Sequence, residues 1–467
     1  MISFGTGGFR GVIGEDFTEE NVRKIAQGLC DTSFSNGWNT PVVIGYDRRF
    51  MSDYFAGYMA EVFTANGIKV LLMDRATPTP VVMSATKKSG FELGVMITAS
   101  HNPYIFNGVK VFLKGGVDAD EAFTSALEKT VNAPIEIKSI SLDNARKAGL
   151  FEKISYVETY LDDIEAFIDP RVKNNDVKIL FDNMYGVGIV GLTGMAERLR
   201  IKRFDIVAKE HDAFFGFVPP NPTEDAMSAL ADAVRENGYD LAIATDSDAD
   251  RLGVLDENGK PVSSNEILAC LYYYLVRYRG MEGDAVKNCA TSILLDKVAE
   301  KLGYECHETD VGFKNISAGM KKYNALIGGE SSGGLTVRGY ISGKDSTFSA
   351  SLFIEMCVML NKPLSEIVEE VKRFAGYDCV YREREITVKN TDPNERLYAS
   401  CVESFGADSV VCFGRNVKIY LGGGWALVRA SGTEPVIRIF AEMPTAMEAD
   451  AIIINLIQKI TEADKRG

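Results

Sequence analysis

The chain has 467 residues, 46% of them hydrophobic and 25% charged, and a formal net charge of −14. That length exceeds what one hydrophobic core holds and predicts three or four domains at roughly 100–200 residues each, while the composition excludes a chain dominated by disorder. The acidic balance, with no basic block, argues against a nucleic-acid partner, so an anionic substrate would need Lys and Arg gathered locally.

No run of about 18 apolar residues occurs, so neither a membrane span nor a membrane partner is expected. The opening MISFGTGGFRG lacks a basic stretch followed by an apolar run, and the eight cysteines are scattered without a CxxC pair. Both features predict a cytoplasmic protein with reduced thiols. The three histidines, His101, His211 and His307, show no metal-ligand spacing, so no zinc site is expected.

In chain order, Phe4-Gly-Thr-Gly-Gly-Phe-Arg-Gly11 comes first, with Arg10 either a surface charge or an anchor for an anion. Pro41–Tyr46 reads as a buried strand, Tyr54–Asn66 as a helix closed by Gly67, and Ile68–Met73 and Leu93–Thr98 as further strands. This rhythm predicts βαβ units. The last strand runs into Thr98-Ala-Ser-His-Asn-Pro103, which puts Ser100 at a carboxyl strand end, where open α/β sheets site their ligands. Ser100 there either caps a turn or accepts a phosphoryl group once a neighbour polarises its oxygen. A hydrolase triad is disfavoured, because no GxSxG surrounds Ser100 and the adjacent His101 side chain points elsewhere. Lys110, in Asn107-Gly-Val-Lys110, is either a surface charge or a general acid/base whose pKa burial or nearby cations would lower.

The rhythm returns with strands Asp176–Phe181 and Tyr239–Thr245, the latter leading into Asp246-Ser-Asp-Ala-Asp-Arg251. Three carboxylates at alternate positions repel one another, and they suit a hard divalent cation. A calcium loop is the competing reading, since Glu257 falls at the twelfth position, but Arg251 stands where that loop needs Gly and a strand precedes it. Magnesium would neutralise charge as a phosphoryl group moves at Ser100, with Arg251 assisting.

A third unit carries a helix at Glu266–Tyr278, the stretch Leu294–Gly303 and a strand at Ala325–Ile327. Gly328-Gly-Glu-Ser-Ser-Gly-Gly334 follows, in which Glu330 and Ser332 offer hydrogen bonds to a polyhydroxyl ligand, unless the run is simply a turn. The last hundred residues read as strands Val380–Val388, Val417–Leu421, Trp425–Ala430 and Val436–Glu442, with a closing helix at Thr445–Ala463. Within them Arg429-Ala-Ser-Gly-Thr433, with Arg438 downstream, has the composition of a phosphate cradle or of an ordinary turn. The prediction is an α/β chain: three related α/β domains with mixed, mostly parallel sheets at 1–150, 151–255 and 256–370, and a C-terminal α+β domain at 371–467.

Together these motifs resemble the signature loops of the α-D-phosphohexomutase superfamily, which contains the phosphoglucomutases and phosphomannomutases. Thr98–Pro103 is similar to its phosphoserine loop, Asp246–Arg251 to its metal loop, Gly329–Gly334 to its sugar loop and Arg429–Pro435 to its phosphate loop. The resemblance implies four domains around a central cleft, Ser100 as the phosphorylated nucleophile, and Mg²⁺ on Asp246, Asp248, Asp250 and the Ser100 phosphate. It implies basic positions beside the serine at Arg10 and Lys110, with His101 and Arg251 close by. Glu330 and Ser332 would read the sugar, Arg429, Ser431, Gly432, Thr433 and Arg438 would grip the distal phosphate, and Lys314 would add a substrate contact. The implied reaction interconverts hexose 1-phosphate and hexose 6-phosphate through a hexose 1,6-bisphosphate, which also serves as activator. The partner is thus a phosphorylated hexose, and the assembly a monomer or homodimer. In family members that use glucose and mannose phosphates about equally the sugar loop ends in His. Here it ends in Gly333-Gly334, which favours glucose, with mannose and glucosamine as alternatives. The rivals outside this reading are a sugar-phosphate sensor without turnover and a sugar-phosphate phosphatase.

Overall fold

The computed structural model describes residues 1–5, 8–173, 175–388, 410–430 and 436–465. They form two compact units, Met1–Ile267 with Ser332–Val368, and Leu268–Ser331 with Glu369–Gly467.

In the first unit, strand Val42–Tyr46 lies parallel to both Val70–Met73 and Leu93–Ile97, and Val70–Met73 lies parallel to Phe151–Ile154. The central runs of Val, Ile, Leu and Met are buried on both faces, as a covered parallel sheet requires. The helix Ser52–Ala65 ends at Asn66, and Gly67 follows in the left-handed region at φ 79°. The sheet then turns antiparallel: Leu93–Ile97 pairs with Phe106–Leu113, which pairs with Gly8–Val12. Strand Phe106–Leu113 contains Asn107-Gly108, a pair that reads as a turn in sequence. It is a strand because Asn107 spends its side chain on Ser52 Oγ and on the Gly108 amide, both bonds inside the fold. A Cβ at Gly108 would fall 2.5 Å from the Phe9 carbonyl oxygen and 2.6 Å from that of Thr98, so only glycine lets the three strands close up.

The second sheet of this unit repeats the design. Lys178–Asp182 is flanked by parallel strands Arg203–Val207 and Leu241–Thr245, and Leu252–Leu255 then returns antiparallel to Leu241–Thr245. In both sheets a buried strand runs out into a loop and an antiparallel strand brings the chain back. The two loops so formed, around Ser100 and around Asp246–Asp250, are the motifs of interest.

In the second unit, Ala285–Asn288 is flanked by parallel strands Cys306–Thr309 and Ile327–Gly329. The last of these begins at Ile327 and not at Ala325, and the Leu326 amide bonds to the Asp284 carbonyl just ahead of it. The C-terminal sheet is antiparallel throughout, with Val380–Thr387, Val436–Met443, Gly424–Ala430, Asn416–Leu421 and Val410–Phe413 side by side. Helix Ala446–Lys465 covers one face, packing Ile453, Leu456 and Ile460 onto Ile419, Ile437 and Ile439.

Candidate active site

Ser100 lies three residues beyond strand Leu93–Ile97 and is buried. Its φ of 52° is in the left-handed region, where a non-glycine residue costs about 1–3 kcal/mol and must be held by its surroundings. Several bonds hold it. The Ser100 amide donates to Thr98 Oγ1 at 2.9 Å, and the Ser100 carbonyl accepts from Ser247 Oγ at 2.8 Å and from the guanidinium of Arg49. The hydroxyl is left to donate to Asp246 Oδ2 at 2.7 Å.

The Asp246–Arg251 loop supplies three buried carboxylates whose oxygens lie within 4.8 Å of one another. Asp246 Oδ1 accepts the Asp250 and Arg251 amides at 2.9 and 3.0 Å, a local bond pattern that curls the loop. Ala249 takes φ 59° at the bend, and its carbonyl accepts from Ser346, the first residue of helix Ser346–Leu360. Asp248 Oδ2 accepts from Thr79 Oγ1 at 2.6 Å. The Lys110 ammonium bridges Asp248 and Asp250, at 2.6 and 2.8 Å. Burial would lower the Lys110 pKa, but the two carboxylates outweigh it and raise it. The expected lowering is therefore absent, and Nζ holds its proton. Burial, then repulsion by Asp250 and Asp248, pushes Asp246 up to about 8.

Among the described residues, Asp248 Oδ1 and Asp250 Oδ1 are buried without a hydrogen-bonding partner. Buried carboxylate oxygens are costly unless paired or bound to a cation, so the donor set of Asp246, Asp248 and Asp250 fits a hard divalent ion. The calcium-loop reading does not fit. Glu257 lies beyond strand Leu252–Leu255 and accepts from Ser365 and Asn258, away from the triad.

Cations gather at the serine. Arg10 Nη1 donates to Asn102 Oδ1 at 2.5 Å, and Arg251 Nη1 to Asn221 Oδ1 at 3.4 Å. His101 Nδ1 is 3.4 Å from Ser100 Oγ, so the two adjacent side chains do not diverge as expected. Burial, then Arg251, Arg10 and Lys344, holds the His101 ring far below its usual range, hence neutral. Lys344, which the sequence reading passed over, reaches Asp250 Oδ2 at 3.1 Å. It does so through the space over Gly334, where a Cβ would fall 2.1 Å from Lys344 Cδ. Gly333, at φ 94°, would bring a Cβ 2.9 Å from the Leu252 carbonyl oxygen. The Gly-Gly end of this loop thus has a packing cause. Ser332 beside it is exposed.

In the second unit, Glu330 is buried, and its Oε1 accepts from Asn288 Nδ2 at 3.0 Å and from the Gly312 amide at 3.2 Å. Lys314 stands in the first turn of helix Phe313–Tyr323, half-buried. Arg429 and Arg438 are directly opposed on adjacent antiparallel strands. Like charges so placed repel, which an anion between them would relieve. Arg438 also bonds to Glu385 at 2.9 Å. Ser431, Gly432 and Thr433 lie outside the described residues. Spacing alone also did not reveal that His307 meets Asp284 and Glu305 in space. These groups are spent on one another and on Tyr323, with His307 Nε2 2.9 Å from Asp284 and its ring stacked on that tyrosine.

Four family descriptions match in order: phosphoglucomutase/phosphomannomutase alpha/beta/alpha domain I over residues 1–138, domain II over 158–259, domain III over 263–374 and the C-terminal domain over 385–456. The Thermococcus kodakarensis "Phosphoglucomutase/phosphomannomutase" is 29% identical, with 99% of each chain covered. The Pyrococcus abyssi "Probable phosphoglucosamine mutase" is 30% identical over 99% of each chain. A solved structure from Thermus thermophilus, described as "putative phosphomannomutase", matches with TM-score 0.85 and 28% identity over 99% of each chain. The chain therefore belongs to the phosphoglucomutase/phosphomannomutase family of the α-D-phosphohexomutase superfamily, and its reaction is an intramolecular phosphoryl transfer of the isomerase class.

Proposed function

We propose that this mutase interconverts hexose 1-phosphate and hexose 6-phosphate through phospho-Ser100 and a hexose 1,6-bisphosphate, with glucosamine phosphate as first substrate and mannose phosphate as the alternative. The observation that carries the chemistry is the Ser100 hydroxyl, buried at a strand end, strained in backbone and aimed at Asp246. The Gly333-Gly334 ending, which favours glucose on sequence, also has a packing cause and so weighs less for glucose. Among the names of the similar proteins, glucosamine and mannose phosphates recur, and the Thermococcus kodakarensis name joins glucose to mannose.

Phospho-Ser100 gives its phosphoryl group to the free hydroxyl of the sugar phosphate. The Ser Oγ–P bond breaks as the sugar O–P bond forms, and the proton lost by the sugar hydroxyl is made up at Ser Oγ, which returns to a neutral hydroxyl. The resulting bisphosphate then returns its other phosphate to Ser100. Asp246, Asp248 and Asp250 are the residues that would hold magnesium, which when bound supplies positive charge to the phosphoryl oxygens. Lys110 keeps its proton at Nζ and sets a fixed positive charge against Asp248 and Asp250 beside the serine. Arg10, Arg251 and Lys344 surround the serine with positive charge that a phosphoryl group would satisfy. Glu330 is an acceptor for a sugar hydroxyl or ammonium, and Ser332 and Lys314 are further sugar contacts. Arg429 and Arg438, with Ser431, Gly432 and Thr433, are assigned to the phosphate that is not reacting.

The test is kcat/KM for glucosamine, mannose and glucose 1-phosphates, with magnesium and a hexose 1,6-bisphosphate present. Preference for glucosamine or mannose phosphate supports the reading, and clear preference for glucose phosphate overturns the substrate assignment. Binding without isomerisation would make the protein a sensor, and steady release of inorganic phosphate would make it a phosphatase.

A further inference from the structure

Four carbonyl oxygens of the serine loop converge on one side chain. Arg49 Nη1 donates to the carbonyls of Pro103 at 2.9 Å and Phe106 at 3.0 Å, and Nη2 donates to those of Asn102, at 2.6 Å, and Ser100. Arg49 is buried, and its guanidinium face lies over the Phe215 ring, 5.0 Å from the centroid. Only a planar fork with several fixed donors can serve four acceptors at once. Its neighbour Arg48 is half-buried and bonds instead to the Lys209 and Glu210 carbonyls.

Asp47 completes the arrangement. Its carboxylate accepts from Thr98 Oγ1 at 2.6 Å and from Ser52 Oγ at 2.8 Å, and Ser247 Oγ lies 3.2 Å from it. Thr98 Oγ1 in turn accepts the Ser100 amide, and Ser247 Oγ donates to the Ser100 carbonyl. Arg49 is itself paired with Asp47, its amide donating to Asp47 Oδ1 at 3.0 Å and its Nε 3.4 Å from Oδ2, so both sides of the Ser100 backbone are tied to one buried pair. Ser247 sits between Asp246 and Asp248, so the same bonds join the serine loop to the acidic loop.

We infer that Arg49, through Asp47 and Ser247, is a positioning residue that holds Ser100 in its left-handed conformation and aims Oγ at the phosphoryl group. The inference rests on the mutase reading for its effect on rate, though not for its effect on the loop. The full-length protein is tested as Arg49→Lys and Ser247→Ala, with Arg48→Lys as control. Steady-state kinetics is read beside amide hydrogen exchange. Lysine keeps the charge and loses the fork, so Arg49→Lys should lower kcat about 100-fold, the scale set by a misplacement of about 1 Å, with KM changed less than about 3-fold. Exchange at the Ser100 and Asn102 amides should rise while strand Leu93–Ile97 keeps its protection. Ser247→Ala removes one bridging hydroxyl and should show the same pattern at about 10-fold in kcat, so it carries the test if Arg49→Lys does not fold. Wild-type kcat and wild-type loop exchange in Arg49→Lys would overturn the inference, as would a rise in exchange shared equally by Leu93–Ile97 in both variants. Should the wild-type protein transfer no phosphoryl group, the mutase reading fails, and the exchange measurement still decides the role of Arg49.

Discussion

Replacing Lys110 with Met tests how the acidic triad is balanced. In the structure the Lys110 ammonium lies 2.6 Å from Asp248 and 2.8 Å from Asp250, and the other oxygen of each carboxylate is buried without a hydrogen-bonding partner. Methionine keeps most of the volume and removes the charge. Deleting one partner of a buried ion pair costs about 3–5 kcal/mol, because the remaining charge is stranded. Lys110→Met should lose that much in urea unfolding with a chelator present. Magnesium should restore part of it, since a ligand at 100 times its Kd adds about 2.7 kcal/mol to the folded state. The ammonium and the ion draw on the negative charge of the same two carboxylates and repel each other across them. The variant should therefore bind magnesium at least about tenfold more tightly than wild type, an extra gain of about 1.4 kcal/mol. Titration calorimetry measures the affinity and urea unfolding the stability. Equal losses with and without magnesium, or unchanged affinity, would refute the reasoning.

Three further outcomes follow from single contacts. Gly108→Ala should cost about 3 kcal/mol in unfolding free energy, because its Cβ would meet the Phe9 and Thr98 backbone oxygens, which cannot move without separating strands. Gly334→Ala should push Lys344 off Asp250 and lower kcat/KM about tenfold, with Lys344→Met adding little on top, as expected of two changes that break one interaction. Asp345, buried with the Tyr160 and Tyr340 hydroxyls donating to it, is raised from 3.8 to about 6 by burial. The folded state therefore binds this proton more tightly, and the carboxyl's contribution becomes more favourable as pH falls from about 7 to about 4. Relative to Asp345→Asn, wild type should gain up to about 3 kcal/mol across that window, and a parallel pH dependence of the two in unfolding titrations would contradict it.

What the sequence made legible were features that conflict with ordinary structure. Three alternate carboxylates in Asp246–Asp250 repel unless something binds them, and an apolar strand running into Ser100 marks a loop at a sheet edge. Features without local contrast were not legible. In Tyr46-Asp-Arg-Arg-Phe50 nothing separates the half-buried Arg48 from the fully buried Arg49, because the difference lies in carbonyls more than fifty residues away. Helix Thr79–Ser89 escaped notice because Thr79 to Thr86 are all buried and leave no amphipathic stripe to detect. Strand Phe106–Leu113 was not among the strands expected, and its Asn-Gly pair carries an ordinary turn signal. Lys344 was missed because it lies outside any motif and enters the site only through the space left by Gly334.

The central claim is that Ser100 carries the phosphoryl group. The direct measurement is peptide mapping of the protein after incubation with hexose 1,6-bisphosphate and magnesium, for wild type and Ser100→Ala. One phosphoryl group on Ser100, lost when unlabelled hexose monophosphate is added and absent together with mutase activity in Ser100→Ala, is the predicted result. Full mutase activity in Ser100→Ala, or a label that settles on another residue and turns over there, would contradict it.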